Sequence, residues 1–370
     1  MYFTPSITTN ADRSETATFQ ASHNRSSAPS FWAAAAQAQP GGASSPLRKR
    51  AKFFLRALSQ PQLTRAWLAR LVQPDLAPLW ALRPRLALKL QRPYLCCAWD
   101  GPVRLAALLG HYEALSKYFS AEARTAIFRN GLDLIRLANP ASGMQLDVRL
   151  LYHDKFEKEG ELTLAIHHVE TGLTLAGITF SLVRNAGRRV AIIGGLQASN
   201  DPRMRGLIHD ASKEMHGLRP KAFALWCLQQ LAACWQVGRI ESVDDAHHVW
   251  RHWRKRIEID MCYDEFWSES DGRRMPGGGW ELPLQLKHRS RAELKPSRRK
   301  THERRYAMLA DLQPKLIAAM AAITIGSIVP EAQAEFVFSS RDSVPVTMPE
   351  PVGPVTSGLL VSLGVTNHSF

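Results

Sequence analysis

Hydrophobic positions recur at two different spacings along this chain. From Phe53 to about Leu137 apolar residues stand three or four apart, which predicts helices over FFLRAL, LTRAWLARLV, VRLAALLGHYEALSKYF and ARTAIFRNGLDLIRL. After Pro140 and Gly143 the spacing becomes two, in QLDVRLLYHD, ELTLAIHHVE, LTLAGITFSLVR and RRVAIIGGLQ. The intervening KFEKEG, TG and NAG are hairpin signals, so a four-stranded antiparallel meander is predicted.

A helix–strand–helix arrangement is predicted to follow the meander. The polar loop SNDPRMRG leads into two helical stretches, LIHDASKEMHG and PKAFALWCLQQLAACWQVG, and then into the short strand RIESV. The run HHVWRHW is predicted to begin a helix or turn behind that strand. The predicted fold class is therefore α+β, with a helical amino-terminal part followed by an antiparallel sheet that continues into helix–strand–helix.

Composition divides the chain into three parts. Residues 1–50 are rich in Ser, Thr, Ala, Gly and Gln and are predicted to be a disordered leader. Residues 51–312 form the predicted domain, helical over 51–140 and α+β over 141–312. Residues 313–370 are predicted to be a disordered extension. Within them, LIAAMAAITIGSIV at 316–329 is shorter than the roughly 20 apolar residues that span a bilayer.

Charge and cysteine usage narrow the functional classes. The formal net charge of +14 favours anionic partners. The five cysteines show no C-x-x-C spacing, so neither a disulfide framework nor a zinc ribbon is indicated, and a reducing compartment is the simplest interpretation. The first thirty residues lack the apolar core of a secretory signal. A cytoplasmic location is predicted, with peripheral attachment to the inner membrane as an option.

The order of elements resembles that of the acyl-CoA-dependent acetyltransferases, in which a loop and helix after the fourth strand hold the cofactor pyrophosphate. A helix N-terminus suits phosphate because its N–H groups are unpaired and its dipole is positive. The resemblance implies acyl-CoA as a cofactor, held by Gln197, Arg203, Arg205 and Gly206. The alternative is an ordinary polar connection with two solvated arginines.

Five motifs in one order resemble a narrower group. They are HGLRPKAFAL (216–225), HHVWR, YDEFWSESDG (263–272), WELPL (280–284) and KTHERRYAMLADL (300–312). Together they are similar to the VirK/YbjX family of Gram-negative bacterial proteins, over about residues 55–312. That resemblance implies a link to virulence, to envelope remodelling and to resistance against antimicrobial peptides, in a family whose biochemical activity is not established.

The run HHVWRHW raises the question of a metal site. His248 and His252 have the i, i+4 spacing of two ligands on one helix face, but Val249 stands where a zincin would have Glu. Four basic residues also crowd the segment, and their field opposes a dication. The sequence therefore predicts no metal site here. Packing of the imidazoles inside the protein is the main alternative role for these histidines.

Acid–base chemistry is the other use of these histidines. Asp244 and Asp245 end the strand RIESV, where they could cap a helix and orient His247 or His248 as a base for acyl transfer to an amine. A simple N-cap role for Asp245 is the structural alternative. Tyr263 shares a helix face with two other aromatic residues, so it is either core or a general acid. The candidate catalytic residues are thus Asp245, His247, His248 and Tyr263.

The basic segment 287–305 is the candidate partner surface. Its nine Lys or Arg residues against two Glu suit acidic lipid or an envelope protein. Base-stacking aromatic residues and nucleic-acid-binding motifs are not evident, so nucleic acid is not favoured. Two functions remain open: a CoA-dependent acyltransferase, and a non-enzymatic envelope-associated adaptor that binds through this segment.

Overall fold

The computed structural model describes residues 29–38, 46–185, 187–251 and 262–325. Helices come first, several of them started by a proline in the first turn, a position at which no backbone N–H is needed. Asp100 and Ser120 cap two of them through the N–H groups of Val103 and Ala123. These helices are α1 Phe31–Ala38, α2 Pro46–Ser59, α3 Pro61–Leu71, α4 Ala77–Leu82, the 3-10 helix Pro84–Gln91, α5 Gly101–Tyr118 and α6 Ala121–Arg129.

One mixed sheet of eight strands follows within the described residues, in the order β1-β2-β3-β4-β5-β6-β8-β7. Its strands are β1 Leu132–Ala138, β2 Gln145–Leu151, β3 Leu162–His168, β4 Thr174–Asn185, β5 Arg188–Gln197, β6 Val237–Ser242, β7 Arg273–Arg274 and β8 Trp280–Leu282. Strands β2 to β5 pair in sequence order and antiparallel, so the predicted meander is confirmed. The predicted α+β class is confirmed as well.

Strand β1 corrects the helix predicted over 123–137. Helix α6 ends at Arg129, and Gly131 has a φ of 84°, a backbone conformation that suits glycine. The chain then pairs antiparallel with β2, from Leu132 opposite Leu150 to Ala138 opposite Gln145. The sequence LDLIRL fits both the helical and the strand spacing of apolar residues. Because the Asn130-Gly131 turn ends the helix, the segment forms a strand. The sheet therefore begins inside the part predicted to be helical.

The helices after β5 join the sheet to the candidate site. Helix α7 spans Met204–Glu214 and α8 spans Pro220–Cys234, and both confirm predicted helices. Helix α8 carries the chain to β6, which lies parallel to β5. Residues 175–183 of β4 are all buried, because α5 and α8 both pack against this central strand. The short helix α9, Tyr263–Glu269, precedes β7 and β8.

The last described helix, α10, runs from Pro296 to Ile323 and packs on α8 and β1. The boundary predicted at residue 312 falls inside this helix, whose Leu316 and Met320 side chains are buried. Part of the predicted leader is also helical, at 31–38 and 46–50. The rest of the predicted leader and extension, 1–28, 39–45 and 326–370, lies outside the described residues. Over the described ranges, none of the helices combines the length and the apolar character needed to cross a bilayer.

Candidate functional site

The candidate site lies directly after β6, where a buried carboxylate binds an imidazole. Asp244 is fully buried, and its Oδ1 accepts hydrogen bonds from the backbone N–H of His247 at 2.9 Å and lies 2.6 Å from that residue's Nδ1. The turn is held from another side by the N–H of Cys97, which donates to the carbonyl of His247. The His247 side chain is 22% exposed. Asp244 and His247 form what we call the dyad.

A glycine turn closes over the dyad. Gly277, Gly278 and Gly279 all have positive φ, and the N–H of Gly279 donates to Oδ2 of Asp244 at 2.9 Å. A Cβ at residue 278 would lie 2.6 Å from Cε1 of His247, so the backbone approaches the imidazole more closely than a side chain would allow. The turn therefore orients both members of the dyad.

Hydrogen bonds favour the ionised form of the Asp244 carboxylate. Burial acts to raise the pKa of Asp244, but hydrogen bonds from the Gly279 N–H and from His247 outweigh it and hold the pKa below its usual value. Arg274 lies 3.3 Å from Asp244 and 2.9 Å from Asp264, and it bridges the two carboxylates. An ionised aspartate against Nδ1 favours the tautomer in which Nδ1 carries the proton.

Such a dyad has a specific chemical capacity. When a carboxylate fixes the proton on Nδ1, Nε2 is the ring nitrogen that takes a proton from a nucleophile and later returns it. The carboxylate also stabilises the imidazolium that forms during the transfer. The His247 side chain is 22% exposed, so part of it is in contact with solvent. An imidazole oriented in this way has the chemical capacity of a general base.

Among the described residues Asp245 makes no hydrogen bond to a histidine, which corrects the predicted pairing of Asp245 with His247 or His248. Its Oδ1 accepts from the N–H of Tyr263 at 2.9 Å and its Oδ2 from the N–H of Asp264 at 3.3 Å. Asp245 thus satisfies the first amides of α9 from across the sequence. Asp245 therefore caps a helix, as the structural alternative predicted, but that helix is α9, which begins at Tyr263.

His248 and Tyr263 come together, but inside the protein. Both are buried, and their rings stack with centroids 4.9 Å apart. Burial lowers the pKa of His248 to about 4 and raises that of Tyr263 above its usual range. The Tyr263 hydroxyl accepts from the N–H of Leu196 at 3.1 Å, and Nε2 of Gln197 lies 3.4 Å away. The His248 and Tyr263 side chains are therefore shielded from solvent.

Glu159 is a member of this buried cluster that the sequence analysis missed. Its Oε1 accepts from Nε1 of Trp250 at 2.6 Å and from Nε2 of Gln197 at 3.0 Å, and lies 3.8 Å from Nε2 of His248. Burial raises the pKa of Glu159 to about 8 despite these hydrogen bonds. A Cβ at residue 195 would overlap its carboxylate. In the sequence Glu159 lies in the charged run KFEKEG, which gives no signal of burial.

The space between β5 and β6 is filled by protein. The two strands pair in parallel from Arg189 and Val237 to Ile193 and Ser242, and Val243 continues with a hydrogen bond to Ile193. Beyond that point the Tyr263 hydroxyl accepts a hydrogen bond from the N–H of Leu196 at 3.1 Å.

The residues predicted to hold the cofactor pyrophosphate lie between the end of β5 and the first turn of α7. Gln197 turns inward to Glu159, as described above. Arg203 at the start of α7 binds Asp201 through both its backbone N–H and its guanidinium, at 2.9 Å for each of these bonds to Oδ1. Arg205 and Gly206 are exposed, and a Cβ on Gly206 would meet open space. The anion at this helix start is a carboxylate of the chain itself, and acyl-CoA binding stays a prediction.

The metal question rests on His248 alone among the described residues, because His252 lies outside them. His248 is buried against Tyr263 and Glu159. In the part of the chain that the structure describes, no three His, Cys, Asp or Glu side chains are grouped so that they could hold a metal ion.

A family model and two relatives match this chain. The family model described as "Protein of unknown function (DUF535)" matches residues 43–318. The chain is 34% identical over 272 residues to "Uncharacterized protein YbjX" of Escherichia coli (strain K12), covering 72% of this chain and 82% of that protein. An "Uncharacterized protein" of Haemophilus influenzae is 27% identical over 214 residues, covering 52% of this chain and 70% of that protein. No solved structure matches.

Proposed function

We propose that this chain, which belongs to the DUF535 family of unknown function as the resemblance to the VirK/YbjX family predicted, is an enzyme. Its general base in this proposal is His247. The observation that carries the proposal is the 2.6 Å contact between the buried Asp244 carboxylate and Nδ1 of a partly exposed imidazole. General bases of this kind contribute about 10²- to 10⁴-fold to a rate. The envelope role implied by the family resemblance is part of the same proposal.

The reaction class that we propose is acyl transfer to an amine. The amine nitrogen attacks the carbonyl carbon of a thioester such as acyl-CoA, and Nε2 of His247 takes the proton that the nitrogen loses. The carbon–sulfur bond then breaks, and the thiolate receives that proton from the imidazolium. Asp244 holds the imidazole throughout. Tyr263, proposed from the sequence as the acid for the thiolate, instead serves to position β5 through the Leu196 amide.

The proposal predicts that an Asp244→Asn variant loses about 10²- to 10⁴-fold in kcat, because an amide no longer fixes the proton on Nδ1. The assay follows CoA release from acetyl-CoA by chromatography, in the presence of a panel of primary amines. The matched control is Asp245→Asn. That neighbouring carboxylate caps α9, so its loss costs about 1 kcal/mol of stability and leaves kcat unchanged.

Two results would count against the proposal. One is a wild-type protein that releases no CoA above background with any amine. The other is an Asp244→Asn variant as active as wild type, with an unchanged melting temperature showing that both proteins are folded.

The competing proposal, a non-enzymatic adaptor for acidic lipid or an envelope protein, is supported by the exposure of the segment 287–305. Arg299 and Arg305 have structural contacts, to the carbonyls of Leu294 and His216. The exposed basic side chains of the segment are Lys287, Arg289, Arg291, Lys295, Arg298, Lys300 and Arg304. Each such charge near an anionic membrane contributes about 1 kcal/mol.

A further inference from the structure

Helix α2 presents an apolar face to solvent. Phe53 and Ala57 are buried, whereas Leu47 and Leu55 are each 66% exposed and Leu58 is 52% exposed. Since each residue advances an α-helix by about 100°, positions 47, 51, 55 and 58 fall within an arc of about 80°. We call these four positions the apolar face. Three leucines on one side of a surface helix therefore remain in water.

Basic side chains follow the apolar face along the helix. Arg48, Lys49 and Lys52 are all exposed and form what we call the basic band. They lie on the adjacent arc, from about 100° to about 200° around the axis from Leu47. Helices α1, α2 and α3 contain no Asp or Glu. Apolar surface and positive charge thus share the solvent side of α2, with no carboxylate on these helices to balance the charge.

Trp32 extends the apolar face onto α1. Its side chain is 46% exposed, and its ring packs edge-to-face on Phe54 with centroids 6.2 Å apart. Phe54 is the α2 residue next to the apolar face around the helix axis. Tryptophan is enriched where a protein meets lipid headgroups, because its ring is apolar while its N–H needs a polar partner.

We propose that α2, together with Trp32, is a surface that binds a bilayer containing anionic phospholipid. A helix lying in the headgroup layer places its apolar face in the acyl boundary and its flanking lysines and arginines at the phosphates. The apolar face and the basic band have these two positions on one helix. The surface contains no residue of the dyad, so this proposal does not depend on acyl transfer, and it differs from adsorption through the segment 287–305.

Vesicle flotation of the full-length protein tests the proposal, with phosphatidylcholine vesicles that do or do not contain phosphatidylglycerol. Wild type floats with the anionic vesicles. A Leu55→Gln/Leu58→Gln variant binds them at least about tenfold more weakly, because burial of one leucine contributes more than a factor of ten. Lys49→Gln and Lys52→Gln each weaken binding about fivefold, on anionic vesicles only.

Two controls separate this surface from others. Leu284→Gln changes an exposed leucine elsewhere, 41% accessible, and leaves flotation unchanged. Arg298→Gln/Lys300→Gln/Arg304→Gln removes charge from α10 and also leaves most binding intact. All of these side chains are exposed, and circular dichroism checks that each variant is folded.

Three outcomes would overturn the proposal. The first is a wild-type protein that does not float with anionic vesicles. The second is flotation that survives Leu55→Gln/Leu58→Gln but is lost when the α10 charges are replaced, which would assign binding to the segment 287–305. The third is a wild-type protein that binds no vesicles but forms a dimer in sedimentation, a dimer that dissociates when the leucines are replaced. That result would assign the apolar face to contact with a second copy of the chain.

Discussion

A Lys89→Met variant is expected to be less stable than wild type by about 3 to 5 kcal/mol, the usual cost of leaving a buried charge without its partner. Nζ of Lys89 lies 2.6 Å from Oε1 of Glu161, and both side chains are buried. The ammonium also donates to the carbonyl of Glu157 at 2.8 Å. On the other side, Tyr112 donates to Oε2 of Glu161 at 2.7 Å. Methionine fills the volume of lysine but leaves the carboxylate unbalanced.

Chemical denaturation measures this loss, and two further variants make the result specific. Lys89→Met/Glu161→Gln removes both charges and is expected to recover part of the stability, because the remaining amide can still accept from Tyr112. Lys315→Met breaks an exposed pair with Asp311 that has a similar separation, 2.6 Å, and is expected to cost at most about 1 kcal/mol. A Lys89→Met variant as stable as Lys315→Met would show that the buried pair contributes nothing.

A Glu159→Gln variant is expected to be more stable than wild type at pH 7, by on the order of 3 kcal/mol at ~1.4 kcal/mol per pKa unit. Burial raises the folded-state pKa of Glu159 from 4.5 to about 8. Between these values the unfolded chain has released a proton that the folded chain keeps, so stability falls as the pH rises. Glutamine keeps the Oε1 acceptor for Trp250 and Gln197 and has no proton to lose.

The pH dependence identifies the group responsible. His248 acts with the opposite sign, since burial lowers its pKa from 6.5 to about 4 and therefore costs stability only below about pH 6.5. From pH 6.5 to pH 8 the fall in the free energy of unfolding should be steeper in wild type than in Glu159→Gln. Glu170→Gln, at an exposed carboxylate of the β3–β4 hairpin, should keep the wild-type slope. Parallel wild-type and Glu159→Gln curves would rule out a protonated Glu159.

The meander was predictable because its information is local. Alternation along β2 to β5 and the hairpin residues between them lie within a few positions of one another, and the structure keeps that pairing. Strand β1 was not predictable, because LDLIRL satisfies helical and strand spacing equally. Its state depends on Gly131 and on pairing with β2. Helix and strand periodicities cannot be separated over so short a segment.

The site was only partly predictable, since its geometry depends on distant contacts. The sequence places two aspartates before two histidines. The one that contacts His247, Asp244, also accepts a hydrogen bond from the N–H of Gly279, which lies 35 positions away. Asp245 is diverted to α9 by the amides of Tyr263 and Asp264. The burial of Glu159 was not predictable, because this residue lies in the charged run KFEKEG, which is typical of an exposed hairpin.

The most direct test of the dyad is the proton position on His247, measured by nitrogen-15 NMR of histidine-labelled protein, with His247→Gln assigning the signal. We predict that the neutral ring carries its proton on Nδ1, donated to Asp244. Asp244→Asn should shift that resonance, and Asp245→Asn should not. A ring protonated on Nε2, or a resonance unchanged by Asp244→Asn, would contradict a dyad at this site.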